Sequence, residues 1–250
     1  MAEKASKYVP AHEPFKDDIA AMTATMPPGS DPRLPIGGTS LQGRIVDAAI
    51  ELFYSRGAQA TTVRDITAAC GLTPGALYNH FRSKEELLFV LVRDVHLQTD
   101  AGLAAAVAGA GDDPRAQLAA AVRFLVRYVA LHRKPSLVAN REFTGLNDER
   151  RREITDIRRQ LRRRFAEVLL AGSRAGVFTL PGGQDRVSAA LTANAIGTLC
   201  ANISEWTRGD YPVPLADLQD RYVDMALRLA GSPAGGSGGS SPRAGTAPPS

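Results

Sequence analysis

The sequence predicts an all-α protein, and three observations carry that expectation. Apolar residues recur at offsets of three and four through most of the chain between Leu41 and Ala230, the spacing that lines one face of a helix. Between Thr61 and Glu86, three short helices each carry their own start signal. No alternating apolar and polar run of convincing length for a strand is present. The short capped helices have the spacing of a helix-turn-helix. A three-helix N-terminal domain that reads DNA, followed by a larger helical domain, is therefore expected.

Met1 to Gly38 mixes charges with Pro and Gly and lacks periodicity, so residues 1–38 are expected to form an unstructured arm. Its Lys4, Lys7, Lys16 and Arg33 offer contacts along DNA, but its acids favour a solvated tail. The first helix is expected over Leu41 to Arg56, with Ile45, Ala48, Ala49, Leu52 and Phe53 on its apolar side and Gly57 as its stop. Thr62 then caps a helix over Val63 to Cys70, with Asp65 reaching back in a variant of the capping box. Gly71 permits the left-handed reversal that drops Leu72 into the core. Thr73 caps the next helix and Pro74 takes its first position, where a missing N–H costs nothing. Ser83 and Glu86 are expected to form a full capping box for the long helix that follows.

The second helix of this motif is expected to run from Pro74 to about Phe81. Leu77 and Phe81 face the core with Val63, Ile66 and Leu72, which leaves Gly75, Ala76, Tyr78, Asn79 and His80 outside. The small Gly75 and Ala76 allow the helix N-terminus close to phosphate and base edges, and the three larger residues supply polar tips. Lys84 is poorly placed for the dipole of the next helix but well placed for a phosphate.

The block TTVRDITAACGLTPGALYNHFRSKEELL closely resembles the DNA-binding domain of tetracycline-repressor-type (TetR-family) transcriptional regulators. The resemblance rests on Thr61-Thr62, Gly71-Leu72-Thr73, Leu77-Tyr78-Asn79-His80-Phe81 and Ser83-Lys84-Glu85-Glu86-Leu87, and covers roughly Ser40 to His96. Thr67 and Cys70 depart from it, standing where alanines are common. It implies a helix-turn-helix domain over residues 39–99 and a helical ligand-binding and dimerisation domain over 100–231. The residues expected at the DNA are Thr62, Thr73, Pro74, Gly75, Ala76, Tyr78, Asn79, His80 and Lys84.

Beyond Ala101 the periodicity stays helical. Asp113-Pro114 opens a helix that Pro135 is expected to interrupt before a short segment through Phe143. Asn147 starts a long helix ending near Gly176, whose stripe is Ile154, Ile157, Leu161, Phe165, Val168 and Leu169. Its arginines, from Arg150 to Arg164, are interleaved with Asp148, Glu149, Glu153 and Asp156, the pattern of an ion-paired solvated face. A helix over Gln184 to Thr207 and a last one over Leu215 to Ala230 follow. Residues 232–250, rich in Gly, Ser, Pro and Ala, are expected to be disordered.

Composition sets outer bounds. The 250 residues, 44% hydrophobic, suffice for two domains, and the net charge of +4 is not concentrated in the helix-turn-helix. Cys70 and Cys200 fall in different predicted domains without a C-x-x-C pair, as free thiols in a reducing cytoplasm would. No apolar run approaches membrane-spanning length and no secretion signal opens the chain. No membrane partner, cofactor or metal is expected. The sequence lacks G-x-S-x-G, P-loop and H-E-x-x-H motifs, so catalysis is not expected either.

In the last helix Leu215, Leu218, Tyr222, Met225 and Leu229 form a narrow seam, while Ala189, Ala190, Ala193, Ala195 and Gly197 permit close approach in the helix before it. Such faces serve intrachain packing or self-association. The resemblance implies a homodimer through these two helices on a palindromic double-stranded operator. It also implies an apolar cavity for a small-molecule effector, with Phe124, Tyr128, Val138, Arg141, Phe143, Phe165, Asn194 and Trp206 as candidates for its wall. Asn194 is the polar candidate, either for a ligand or for a hydrogen bond between helices. Ser204 to Pro212 resembles the corresponding turn in regulators that answer acyl-CoA thioesters, for which Arg141, Arg158 or Arg208 would supply cations. The implied function is a ligand-responsive regulator, by default a repressor. The alternative is a helical small-molecule or lipid-binding protein without DNA-binding activity.

Overall fold

The computed structural model describes residues 40–207 and 212–232. The expected arm 1–38, Arg208 and all of the expected tail except Ser232 lie outside these residues. Among the described residues there are helices and no strand. We number them α1 (Leu41–Arg56), α2 (Val63–Ala69), α3 (Pro74–Tyr78), α4 (Lys84–Gly109), α5 (Pro114–Leu131), α6 (Arg133–Glu142), α7 (Asp148–Arg174), α8 (Arg186–Ala201), α9 (Ile203–Trp206) and α10 (Leu215–Leu229), with a 3-10 turn at Phe143–Gly145.

Local chemistry sets most boundaries where the sequence places them. Ser40, Asp113, Asn147 and Asp185 each cap the helix they precede with a side-chain oxygen. At α2 the acidic variant of the capping box is complete: Asp65 N–H donates to Thr62 Oγ1, and Thr62 N–H donates to Asp65 Oδ2 at 2.8 Å. Gly71, at φ 67°, ends the motif's first helix in the left-handed region. Thr67 and Cys70 are absorbed by backbone bonds, Thr67 Oγ1 to the Val63 carbonyl and Cys70 Sγ to the Arg44 carbonyl.

Four expectations are corrected. The recognition helix α3 is five residues long and ends at Tyr78, because Asn79 and His80 pass into a turn. The capping box at Ser83 is half formed: Ser83 Oγ accepts from Glu86 N–H, but the Glu86 carboxylate turns to the Arg82 N–H. The break between α5 and α6 falls at His132 rather than Pro135, which sits in the first turn of α6, where helical N–H groups lack partners in any case. The helix expected over Gln184 to Thr207 breaks at Asn202 into α8 and α9.

Ile45, Ala49, Phe53, Ile66, Leu77 and Phe81 bury the small head, and α4 runs from it into a bundle with α5, α6 and α7. Helix α7 packs on α8, and α10 on α5. Of the arginine pairs on α7, Arg151–Asp148 and Arg159–Asp156 stay within the helix, while Arg93–Glu153, Arg164–Asp100 and Arg150–Glu85 fasten it to α4. The expected solvated face is therefore also a seam. Arg186–Trp206 is long and apolar enough to cross a membrane by length and composition, contrary to expectation, but part of it is buried against the bundle.

Helices α4 and α5 meet closely because Gly102 offers no side chain: a Cβ there would stand 2.1 Å from Phe124 Cζ. Gly102→Ala should overpack this crossing and cost about 1–3 kcal/mol, read from urea midpoints at fixed protein concentration. Phe124→Leu in the same background should recover part of the loss. Burial holds His96 and His132 well below the ordinary imidazole range, each at about 4. Both are neutral in the fold and protonate sooner when unfolded, so the unfolded state binds more protons between about pH 4 and 6.5. Stability should fall as pH drops through that window, by up to about 1.4 kcal/mol per pH unit for each histidine. Denaturation midpoints across the window should show a shallower slope in His96→Gln.

Candidate functional site

The exposed face of the motif gathers most of the residues expected at DNA. Thr62, Thr73, Pro74, Gly75, Tyr78, Asn79 and His80 are exposed and Ala76 is half-buried, whereas Leu77 beneath them is fully buried. Tyr78 keeps 56% of its surface, an unusual exposure for a large ring in a helix anchored on both sides. Thr73 occupies the cap position with extended backbone but makes no side-chain cap bond. Arg64 on α2 and Arg82 after α3 are also exposed, cations near this face that the motif did not single out.

Lys84 has an internal role that the sequence did not suggest. Its ammonium donates to the Ala58 carbonyl at 2.6 Å and the Thr61 carbonyl at 2.7 Å, which leaves one of its three N–H groups for a phosphate. Those carbonyls belong to the turn between α1 and α2, where Gly57 adopts φ 82° and Thr61 is fully buried. The same turn receives the second domain: Ala58 N–H donates to Glu142 Oε1 of α6. Two further bonds tie α6 to α1, from Arg133 Nη1 to the Tyr54 hydroxyl at 2.8 Å and from Lys134 to Glu51.

A half-open cavity of about 150 Å³ lies among α4, α5, α6, α7 and α8. Its apolar wall includes Val95, Leu125, Val129, Leu161 and Phe165, and its polar groups include His96, Ser136, Asn140, Arg158, Arg162 and Asn194. Two of the eight expected wall residues, Phe165 and Asn194, are there. Asn194 is exposed on the outer side of α8 and so reaches only the rim, not a buried site.

The other six are placed elsewhere. Phe124 is spent against Gly102. Tyr128 is buried with its hydroxyl 3.3 Å from the Val95 carbonyl, and burial pushes its phenol pKa up. Val138 is core, and Arg141 is paired with Glu205 at 2.6 Å. Phe143 lies under the Arg158 guanidinium, 4.3 Å from carbon to ring centroid, and Trp206 is 39% exposed at the end of α9. Helical periodicity finds the apolar faces but not which of them meets a void. Ser136 gave no sequence signal, and the charge pattern assigns Arg162 to an ion-paired solvated face rather than to a cavity.

On the exposed side of α8, Val187 and Leu191 are each 66% exposed, and Ala190, Ala195 and, at the cavity rim, Asn194 and Thr198 are exposed and uncharged. The seam of α10 divides: Leu215, Leu218 and Tyr222 are buried within the chain, while Met225 and Leu229 stand partly exposed.

Similarity to known proteins follows these features. The family described as bacterial regulatory proteins, tetR family, matches residues 45–91, and the tetracyclin repressor-like C-terminal domain matches 111–230. The HTH-type transcriptional repressor KstR2 of Rhodococcus jostii is 34% identical over 220 residues, spanning 84% of this chain and 98% of that one. A tetR-family regulatory protein from Rhodococcus RHA1 superposes with a TM-score of 0.71 at 30% identity, over 79% of this chain and all of that one. The ketosteroid transcriptional regulator KstR2 of Mycobacterium tuberculosis superposes with a TM-score of 0.69 at 26% identity, over 77% and 95%. With both family domains matched in order and a relative aligned along nearly its whole length, this chain belongs to the TetR family of bacterial transcriptional regulators.

Proposed function

We propose that the protein is a ligand-responsive repressor that binds a palindromic operator as a homodimer and is released by a small apolar or amphipathic effector. The observation that carries the reading is the exposed tip of α3, where Tyr78, Asn79 and His80 stand clear of a core sealed by Leu77 and Phe81. Thr62, Thr73, Pro74, Gly75, Ala76 and Lys84 complete the proposed DNA surface. Residues 39–99 would form the DNA-reading domain and 100–231 the effector and dimerisation domain. Repression accords with the relatives named as repressors. The protein would act in the cytoplasm, on the nucleoid, and without catalysis. Nothing favours a carrier that lacks DNA binding.

The uncharged outer face of α8, with Met225 and Leu229 of α10, would meet the same face of a second copy across a two-fold axis. The two recognition helices would then enter successive major grooves about 34–36 Å apart. A cavity of about 150 Å³ accommodates a benzene-sized group, so a larger effector must widen it. Widening displaces α4 and α6, the two cavity helices that also hold the Gly57–Thr61 turn of the head. Reversing occupancy from mostly bound to mostly free requires the effector to prefer the released form by about 5.5 kcal/mol. An acyl-CoA thioester suits this description, with its apolar tail in the cavity and its phosphates along the arginine-rich side of α7. Relatives named KstR2, one described as a ketosteroid regulator, also favour an extended apolar body.

Tyr78→Ala should weaken operator binding about tenfold in a gel shift while the dimer persists on size exclusion. Unchanged affinity would contradict the assigned surface. Lys84→Ala should lower affinity and also thermal stability, since two carbonyls lose their donor. Leu191→Glu should convert the dimer to monomer in sedimentation and abolish operator binding together with it.

A further inference from the structure

Arg158 is an unusual arginine. Its guanidinium lines the cavity, stacks on Phe143, and buries Nη1 with no hydrogen-bond acceptor. No ion pair among the described residues includes it, although most other arginines of α7 are paired or exposed. Desolvation by burial, and then the charge of Arg162, a second cation on the same wall, disfavour its charge. Ser136, 4% exposed and lining the same cavity, buries an Oγ that likewise has no partner. Buried donors of this kind are nearly always satisfied, and a charged one more so. A guanidinium and a hydroxyl on the wall of one cavity, both without partners, with apolar lining and a second cation on that wall, suit a group with acceptor oxygens and a negative charge.

We propose that the effector carries an anionic group, a carboxylate or its equivalent, which Arg158 and Ser136 receive while its apolar body occupies the space among Val95, Leu125, Leu161 and Phe165. The inference rests on this cavity being the effector site, and it specifies what that effector must contain. Such an anion would be the missing acceptor for Nη1 and would offset the repulsion between Arg158 and Arg162. The anion has two chemical sources, a free carboxylic acid or the phosphates of a coenzyme A ester.

Calorimetric titration of the full-length protein separates them, with phenylacetate, its neutral analogue 2-phenylethanol, and phenylacetyl-CoA as probes. We expect one of the two anionic probes to bind at least tenfold more tightly than the alcohol, and Arg158→Met to remove that advantage. Arg158→Lys should retain part of it, and Ser136→Ala should cost a few fold without the risk of disturbing α7. Dependence on Arg158 for the acid identifies a carboxylate; dependence for the CoA ester alone identifies its phosphates. Affinities for both anions that match the alcohol, or that ignore both substitutions, would overturn the proposal. Operator binding without effector is measured on the same variants and should be unchanged. Release of operator by the alcohol alone would leave the repressor reading intact while removing the anion site.

Discussion

The turn at Gly57–Thr61 is the contact on which the rest of the molecule depends. Irregular backbone inside a fold must have its polar groups satisfied from elsewhere, and here the partners come from both domains. Lys84, at the start of the connecting helix, takes the Ala58 and Thr61 carbonyls, and Glu142 at the end of α6 takes the Ala58 N–H. Thr61 closes the turn on itself through Gly57. The recognition helix has only five residues and little stability of its own, so its direction is inherited from this anchorage.

That arrangement explains why α6 matters as much as the long α4. It is ten residues long, carries Ser136 and Asn140 to the cavity, and grips α1 through Arg133 and Lys134. A molecule that enlarges the cavity acts directly on a helix bonded to the head. Exposed ion pairs such as Lys134–Glu51 contribute little stability, about 0–1 kcal/mol, but they fix orientation. Under the proposed release by effector, such small energies at the joint would let a second head position lie close in free energy.

The outer face of α8 shows a different economy. A helix that packs on one side and, as proposed, meets a second chain on the other would carry apolar or small residues all round, which would account for the membrane-like composition of Arg186–Trp206 in a helical bundle. Helix α10 then lies back along α5, leaving Met225 and Leu229 at the edge.

The sequence by itself determined the helical class, the caps at Thr62, Asp113 and Asn147, the reversal at Gly71 and the exposed tips of α3. These depend on residues within a few positions of one another, and local hydrogen bonding and periodicity are enough to specify them. Only the tertiary structure decided that Phe124 is consumed by Gly102, that Tyr128 and Val138 are core, and that Lys84 is held inward. The same holds for Arg158 and Ser136, which lie in different helices and share a cavity wall. A void and an unsatisfied donor are properties of how faces meet, and residues far apart in sequence acquire them only when the helices have packed.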